Sequence, residues 1–274
     1  MADGGRNIQW QVDSTLPNNP AGTHHQQSEA YPDFTFAFQP IFDTHKREVL
    51  AYEALIRGLA NEPACQVLQR VSVDTLFEFD QSARVVAINL ATQLGITCNL
   101  NLNFLPQSLE SSSESILTTL AAANRVNLSI NRIVLEVLEG EVIHNHSQFT
   151  GRINEYRGLG LKVAIDDFGA GYSGLNLLVD FQPDKIKLDR QLIQRIWCHG
   201  PRQSIVRAIN EICSDLGIEI VAEGVETDAE FTWLEDQGIH LFQGYLFARP
   251  AFESLPPVHC PVHVPIPALS RYSK

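Results

Sequence analysis

Eight short β-rich runs recur between residues 34 and 242, most of them separated by a stretch with helical patterning, and this alternation constrains the fold more than any other feature. The runs are 34–42, 49–56, 99–104, 133–138, 161–166, 185–188, 218–222 and 239–242. Helical stretches are expected at 73–94, 112–123, 147–157, 202–216 and 228–236. The first of these places Val73, Leu76, Phe77, Ala83, Val86, Ala87, Leu90 and Leu94 at helical spacing, and Gly95 follows as a stop. Repeated β-then-α units dictate parallel strands joined by right-handed crossovers. Eight such strands in this span favour an α/β fold closed as a TIM-like (β/α)8 barrel. An open doubly wound sheet is the weaker alternative, because no GxGxxG turn follows the early strands. Only six residues, Asp43 to Glu48, join the first two runs, so the first strand is expected to run antiparallel.

No Ser/Gly-rich linker or charge run interrupts residues 33–253, which are therefore expected to form one domain. Residues 1–32 are polar and carry turn formers such as Pro17, Asn18, Asn19, Pro20 and Gly22, the pattern of a mobile arm. Residues 254–274 hold Pro256, Pro257, Pro261, Pro265 and Pro267, which block regular structure and predict a tail.

The net charge of −12 argues against DNA or RNA polymers as partners, since such binding needs basic surface to displace counterions. A small phosphorylated ligand is still compatible, because metal ions held by carboxylates supply positive charge. No run reaches 18 apolar residues, so no membrane span is expected, and the start Met1-Ala2-Asp3 lacks signal-peptide character. Five scattered cysteines without a CxxC pair suit a reducing cytoplasm and are expected to be small core residues.

Polar residues concentrate where the strands end. Asn103 lies near the end of the third run, Glu136 and Glu139 lie in or just after the fourth, and Asp166-Asp167 finish the fifth. Lys187 lies in the sixth, Glu223 follows the seventh, and Gln243-Gly244 follows the eighth. A barrel gathers these ends around one mouth. Glu53, Glu136, Asp166, Asp167 and Glu223 would then crowd together, and like charges at such range resist joint ionisation. Divalent cations resolve that conflict, and five carboxylates with the Asn103 amide make an oxygen-rich set suited to Mg2+ or Mn2+. Singly, any of these acids reads as an ordinary solvated residue; their joint placement after successive apolar strands is what carries the argument. Lys187 fits equally a structural ion pair with Asp166 or Glu223. The glycines of Asp167-Phe168-Gly169-Ala170-Gly171-Tyr172-Ser173-Gly174 shape a turn and also make a loop able to close on a ligand. His24-His25 and His144-Asn145-His146 fall in the arm and a loop and are read as non-functional.

With Tyr52-Glu53-Ala54-Leu55-Ile56-Arg57 at the end of the second run, the residues resemble the EAL-domain cyclic di-GMP phosphodiesterases. Glu53-Ala54-Leu55 is the tripeptide that names the family, and Arg57 follows in its place. The resemblance continues through Gln39-Pro40, Asn103, Glu136 with Glu139, Asp166-Asp167-Phe168-Gly169, Ile186-Lys187-Leu188-Asp189, Ala222-Glu223-Gly224-Val225-Glu226 and Gln243-Gly244-Tyr245. One variation is Asn103-Phe104-Leu105-Pro106, where many members carry Asn-x-Ser.

The resemblance implies a barrel with an antiparallel first strand, two Mg2+ or Mn2+ ions, and hydrolysis of cyclic di-GMP to linear 5′-pGpG. It makes Glu53, Asn103, Glu136, Asp166, Asp167 and Glu223 metal ligands, and Lys187 the lysine that positions or activates the attacking water. Glu53, Asp166, Asp167 and Lys187 are accordingly the catalytic set. Gln39, Leu55, Arg57 and Gln243 fall on positions beside the substrate or catalytic water, Glu139 on the acid that holds the loop after Asp167, and Glu226 on a supporting position. A cytoplasmic homodimer is implied, with an interface abutting that loop. The competing reading is a non-catalytic cyclic di-GMP receptor that signals through a protein partner. Two further readings are an interaction module that keeps only the fold and another metal-dependent barrel hydrolase, the latter lacking the early HxH ligands of an amidohydrolase.

Overall fold

The computed structural model describes residues 31–107, 114–140, 146–171 and 174–261. The arm expected at 1–32 therefore falls outside the described residues except for Tyr31 and Pro32, as do His24, His25, His144, the His146 side chain and the tail beyond residue 261.

Nine strands form one sheet: β1 (Thr35–Asp43), β2 (Glu48–Arg57), β3 (Asn99–Asn103), β4 (Ile133–Leu138), β5 (Lys162–Phe168), β6 (Lys185–Leu188), β7 (Glu219–Ala222), β8 (Leu241–Phe242) and β9 (Ala251–Phe252). Strands β2 to β8 are successive parallel neighbours. Strand β1 closes the ring by pairing antiparallel with both β2 and β8. The eight expected strands thus form the expected closed barrel with a reversed first strand, and the short β9 adds to the β8 side of β1.

Among the described residues the α-helices are α1 (Ala64–Leu68), α2 (Leu76–Gln93), α3 (Glu114–Arg125), α4 (His146–Gly158), α5 (Gly174–Phe181), α6 (Arg190–Ile193), α7 (Gly200–Leu216) and α8 (Asp228–Asp236). Helix α8 starts at a reciprocal capping box between Thr227 and Glu230, and α7 stops at Gly217 in the left-handed region. Helix α2 begins three residues later than its apolar spacing predicts: Val73 lies in a 3-10 turn and is exposed. The sequence pattern does not anticipate α1, α5, α6 or β9. Two of these helices are five residues or shorter, and α5 follows the glycine-rich loop that reads as a turn.

Strand alternation sends one set of side chains into the barrel and the other toward the helices. In β3, Leu100 and Leu102 join the helix-facing core, which leaves Asn99, Asn101 and Asn103 on the inner side. Ile41, Ala51, Val221 and Leu241 pack together as a separate apolar plug. The layer between sheet and helices includes Phe38, Phe149, Phe231 and Phe242, all at most 2% exposed, and each contributes about 1.5–3 kcal/mol by burial. The cysteines depart from expectation. Only Cys213 is a buried core residue, Cys98 is half-buried, and Cys65, Cys198 and Cys260 are exposed; all five are free thiols.

Candidate active site

The site is built by the same alternation. Glu53, Leu55 and Arg57 are every second residue of β2 and share the barrel-facing side. Parallel register places Glu53 beside Asn101, and Asn103 beside Glu136. On the other flank, antiparallel register sets Gln39 opposite Glu53.

Lys187 lies at the centre and is 1% exposed. Its Nζ is 2.7 Å from Glu223 Oε1, 3.0 Å from Glu136 Oε1, 3.0 Å from Asp166 Oδ1 and 3.2 Å from Glu53 Oε2. Both partners named for a structural ion pair are therefore present, together with two more. Burial alone would depress the lysine pKa, but Asp166, Glu136, Glu223 and Glu53 overcome it and hold the pKa well above the ordinary value. One ammonium does not balance the acids. Burial pushes the Glu136 carboxyl well above its usual range, with Glu53 and Asp166 adding to the rise against the pull of Lys187. Burial and then Asp166 raise Glu223 in the same way.

Asp166 and Asp167 depart from simple alternation. The β5–β6 register breaks between Ile165 and Phe168, and Asp167 adopts φ of 54° in the left-handed region. Neighbouring residues on a regular strand point to opposite faces; this bulge lets both carboxylates reach the mouth. Ligand oxygens of Asp166, Asp167 and Glu223 lie within 4.8 Å of one another, as do those of Glu53, Glu136 and Asp166. Burial and the adjacent Asp166 push the Asp167 carboxyl up to about 7.

The remaining predicted residues surround this cluster. Gln243 Nε2 donates to Glu53 Oε2 at 2.6 Å and to Gln39 Oε1 at 3.3 Å, while Gln39 Nε2 donates to the Ala248 carbonyl. Gly244 admits no larger residue, since a Cβ there would lie 2.1 Å from the Val225 carbonyl oxygen. Arg57 is half-buried and donates to its own neighbour, the Ile56 carbonyl; burial lowers its pKa against the pull of Tyr245 and Glu53. Leu55 and Asn103 line a cavity of about 260 Å3 beside the mouth. Asn103 itself is exposed at the rim, above the buried acids. Glu139 Oε2 accepts the amides of Gly169 at 2.6 Å and Gly171 at 3.1 Å, which ties down the start of the glycine-rich segment. Glu226 lies outside the cluster, paired with Arg190 at 2.7 Å on the surface.

The sequence model of the EAL domain matches residues 25–250. The chain belongs to the EAL family. A curated relative, the blue light- and temperature-regulated antirepressor BluF of Escherichia coli, is 34% identical over 227 residues, covering 82% of this EAL chain and 56% of BluF. The cyclic di-GMP phosphodiesterase RocR of Pseudomonas aeruginosa is 33% identical over 179 residues, or 65% of this chain and 45% of RocR. The chain thus spans about half the length of these relatives. Among solved structures, a standalone versatile EAL protein from Vibrio cholerae in its c-di-GMP-bound form has a TM-score of 0.80 and 48% identity, covering 83% of this chain and 96% of that one. The manganese and cyclic di-GMP complex of Klebsiella pneumoniae BlrP1 has a TM-score of 0.77 and 39% identity, covering 85% of this chain and 59% of that one.

The donor set of the EAL site suits hard divalent cations. It offers carboxylate oxygens in two overlapping triads that share Asp166, and Glu136 Oε2 is buried without a hydrogen-bond partner. Acids whose pKa values rise through burial and crowding are the groups a cation would return to the ionised state. One residue of the cluster escapes the sequence reading: Asn101, whose Nδ2 donates to Glu136 Oε1 at 2.6 Å. The alternating Asn99-Leu100-Asn101-Leu102-Asn103 pattern is the signal that could have found it, since it puts Asn101 on the same face as Asn103.

Proposed function

We propose that this chain is a metal-dependent phosphodiesterase that hydrolyses cyclic di-GMP to linear 5′-pGpG. The observation that carries the reading is the gathering of Glu53, Glu136, Asp166 and Glu223 around Lys187, with Asp167 brought alongside by the bulge in β5. In this reading Glu53, Asn103, Glu136, Asp166, Asp167 and Glu223 hold two Mg2+ or Mn2+ ions. Such ions supply Lewis acidity toward the scissile phosphate and make water more acidic.

The chain's own residues do the rest. Arg57 presents a planar donor fork to a non-bridging phosphate oxygen at the mouth, and Leu55 packs beside it. Gln243 and Gln39 orient Glu53 through the chain of amide hydrogen bonds. Lys187 sets the spacing of four carboxylates and places a positive charge next to the attacking water. Attack on phosphorus expels the 3′ oxygen of one ribose and opens the ring. Glu139 holds the loop that follows Asp167, and Glu226 supports the β7 end through Arg190. The proposal includes a cytoplasmic homodimer; exposed Leu175 and Val179 on α5, just beyond that loop, support an interface there.

The test is incubation with cyclic di-GMP plus Mg2+ or Mn2+ beside an EDTA control, with products separated by chromatography and Glu53→Ala in parallel. Linear pGpG is expected only with metal and wild-type protein. Intact substrate in every lane, from folded protein that binds it, would overturn catalysis. That outcome favours the second reading, a receptor acting through a protein partner, which the antirepressor name of BluF supports.

A further inference from the structure

Asn101 is 2% exposed inside the barrel, in register with Glu53 and one step below Asn103 on the same face of β3. Its Nδ2 donates to Glu136 Oε1 at 2.6 Å, the oxygen that also lies 3.0 Å from Lys187 Nζ. One oxygen of Glu136 is therefore held from two sides. The other, Oε2, is equally buried and has no partner, and neither has Asn101 Oδ1.

This division is hard to explain as packing. A buried amide left half unsatisfied destabilises a core, and a leucine or valine would fill the same inner position without that penalty. We propose that Asn101 is a positioning residue: it clamps Oε1 of Glu136 so that Oε2 is the oxygen turned toward a divalent cation. The clamp fixes the carboxylate rotation before the ion arrives, which lowers the ordering cost of binding. Groups that orient metal ligands in this way commonly affect metal affinity by about 10–100-fold. The inference rests on the metal site of the proposed function and adds a residue which that site does not include.

The test uses the full chain, with Asn101→Leu and Asn101→Thr as variants. Leucine removes the donor and keeps the volume. Threonine keeps a hydroxyl but is too short to reach Glu136, and it is suited to a strand if leucine impairs folding. Free Mn2+ is counted by electron paramagnetic resonance during titration, and cyclic di-GMP turnover is measured separately. Both variants are expected to bind Mn2+ about tenfold more weakly and to lose kcat at limiting metal, with KM for cyclic di-GMP within twofold and thermal stability unchanged or raised. A purely structural role would instead lower stability and leave the Mn2+ constant alone. Mn2+ affinity within twofold of wild type in either folded variant overturns the clamp while leaving the metal site standing. Absence of Mn2+ binding by the wild-type chain overturns both.

Discussion

Asp166 and Asp167 are adjacent on one strand yet bring carboxylate oxygens within 4.8 Å of each other and of Glu223. The left-handed backbone of Asp167 makes this possible, and the amide of Asp167 donates back to Asp166 Oδ1 at 2.9 Å. Asparagine tolerates that conformation and β-branched residues do not. Asp167→Asn is expected to melt within a few degrees of wild type and to lose roughly 10²-fold in rate, as loss of a positioned electrostatic group commonly does. Asp167→Val should lose activity and also about 1–3 kcal/mol of stability through backbone strain. Thermal melts beside initial rates separate the two; equal stability of both variants would remove the strain argument.

Lys187 is buried and pairs with four acids at once. Lys187→Met should therefore destabilise the metal-free protein by about 3–5 kcal/mol, the usual penalty for leaving buried charge without its partner. Saturating Mn2+ should recover part of that loss, because cations take over the neutralisation. Urea melts with EDTA and with Mn2+ measure both effects. A variant as stable as wild type in EDTA would show that the acids are already protonated or separated.

Stability of the metal-free protein should fall as pH rises. The folded Asp167 carboxyl titrates at about 7 against 3.8 for the ordinary group, and Glu136 and Glu223 are raised well above 4.5. A carboxyl whose folded pKa exceeds its unfolded value keeps its proton when folded and gives it up when unfolded. The unfolded state thus gains as pH climbs from about 4 through 7, and the folded state loses ground over that window. Urea midpoints in EDTA at pH 5, 6.5 and 8 should decline in that order. Added Mn2+ should stabilise most at pH 8, where protons compete least for the ligand oxygens.

Glu139 holds two backbone amides of the loop that follows Asp167. Both amides converge on one charged oxygen, Oε2, and Glu139→Gln leaves only a neutral carbonyl there, so it should loosen Gly169 and Gly171. Hydrogen exchange at these amides is expected to speed by at least tenfold, with kcat falling about 10-fold and global stability changing by less than about 1 kcal/mol. Unchanged exchange would mean that the loop is held by other contacts.

Much of the site was legible because it follows local rules. Period-two alternation places Glu53, Leu55 and Arg57 on one face, and the same rule applied to β3 would have picked Asn101 beside Asn103. The helices that went unread are short or begin inside a glycine-rich stretch, where local periodicity has too few residues to register. Solvent exposure of the cysteines was misread for a related reason: burial of a small residue depends on what packs over it, not on its own polarity.

The succession of strands and helices along the chain, the reversed β1 and the list of polar residues at the strand ends are properties of the chain itself, since each arises from residues within a few positions of one another. Closure of the ring decided the chemistry. Lys187 and Glu53 stand 134 residues apart and meet only because β1 bridges β8 to β2. The four-fold pairing of Lys187 and the different surroundings of the two Glu136 oxygens depend on distances across the barrel. Such distances are set by sheet curvature and packing, which no local pattern encodes.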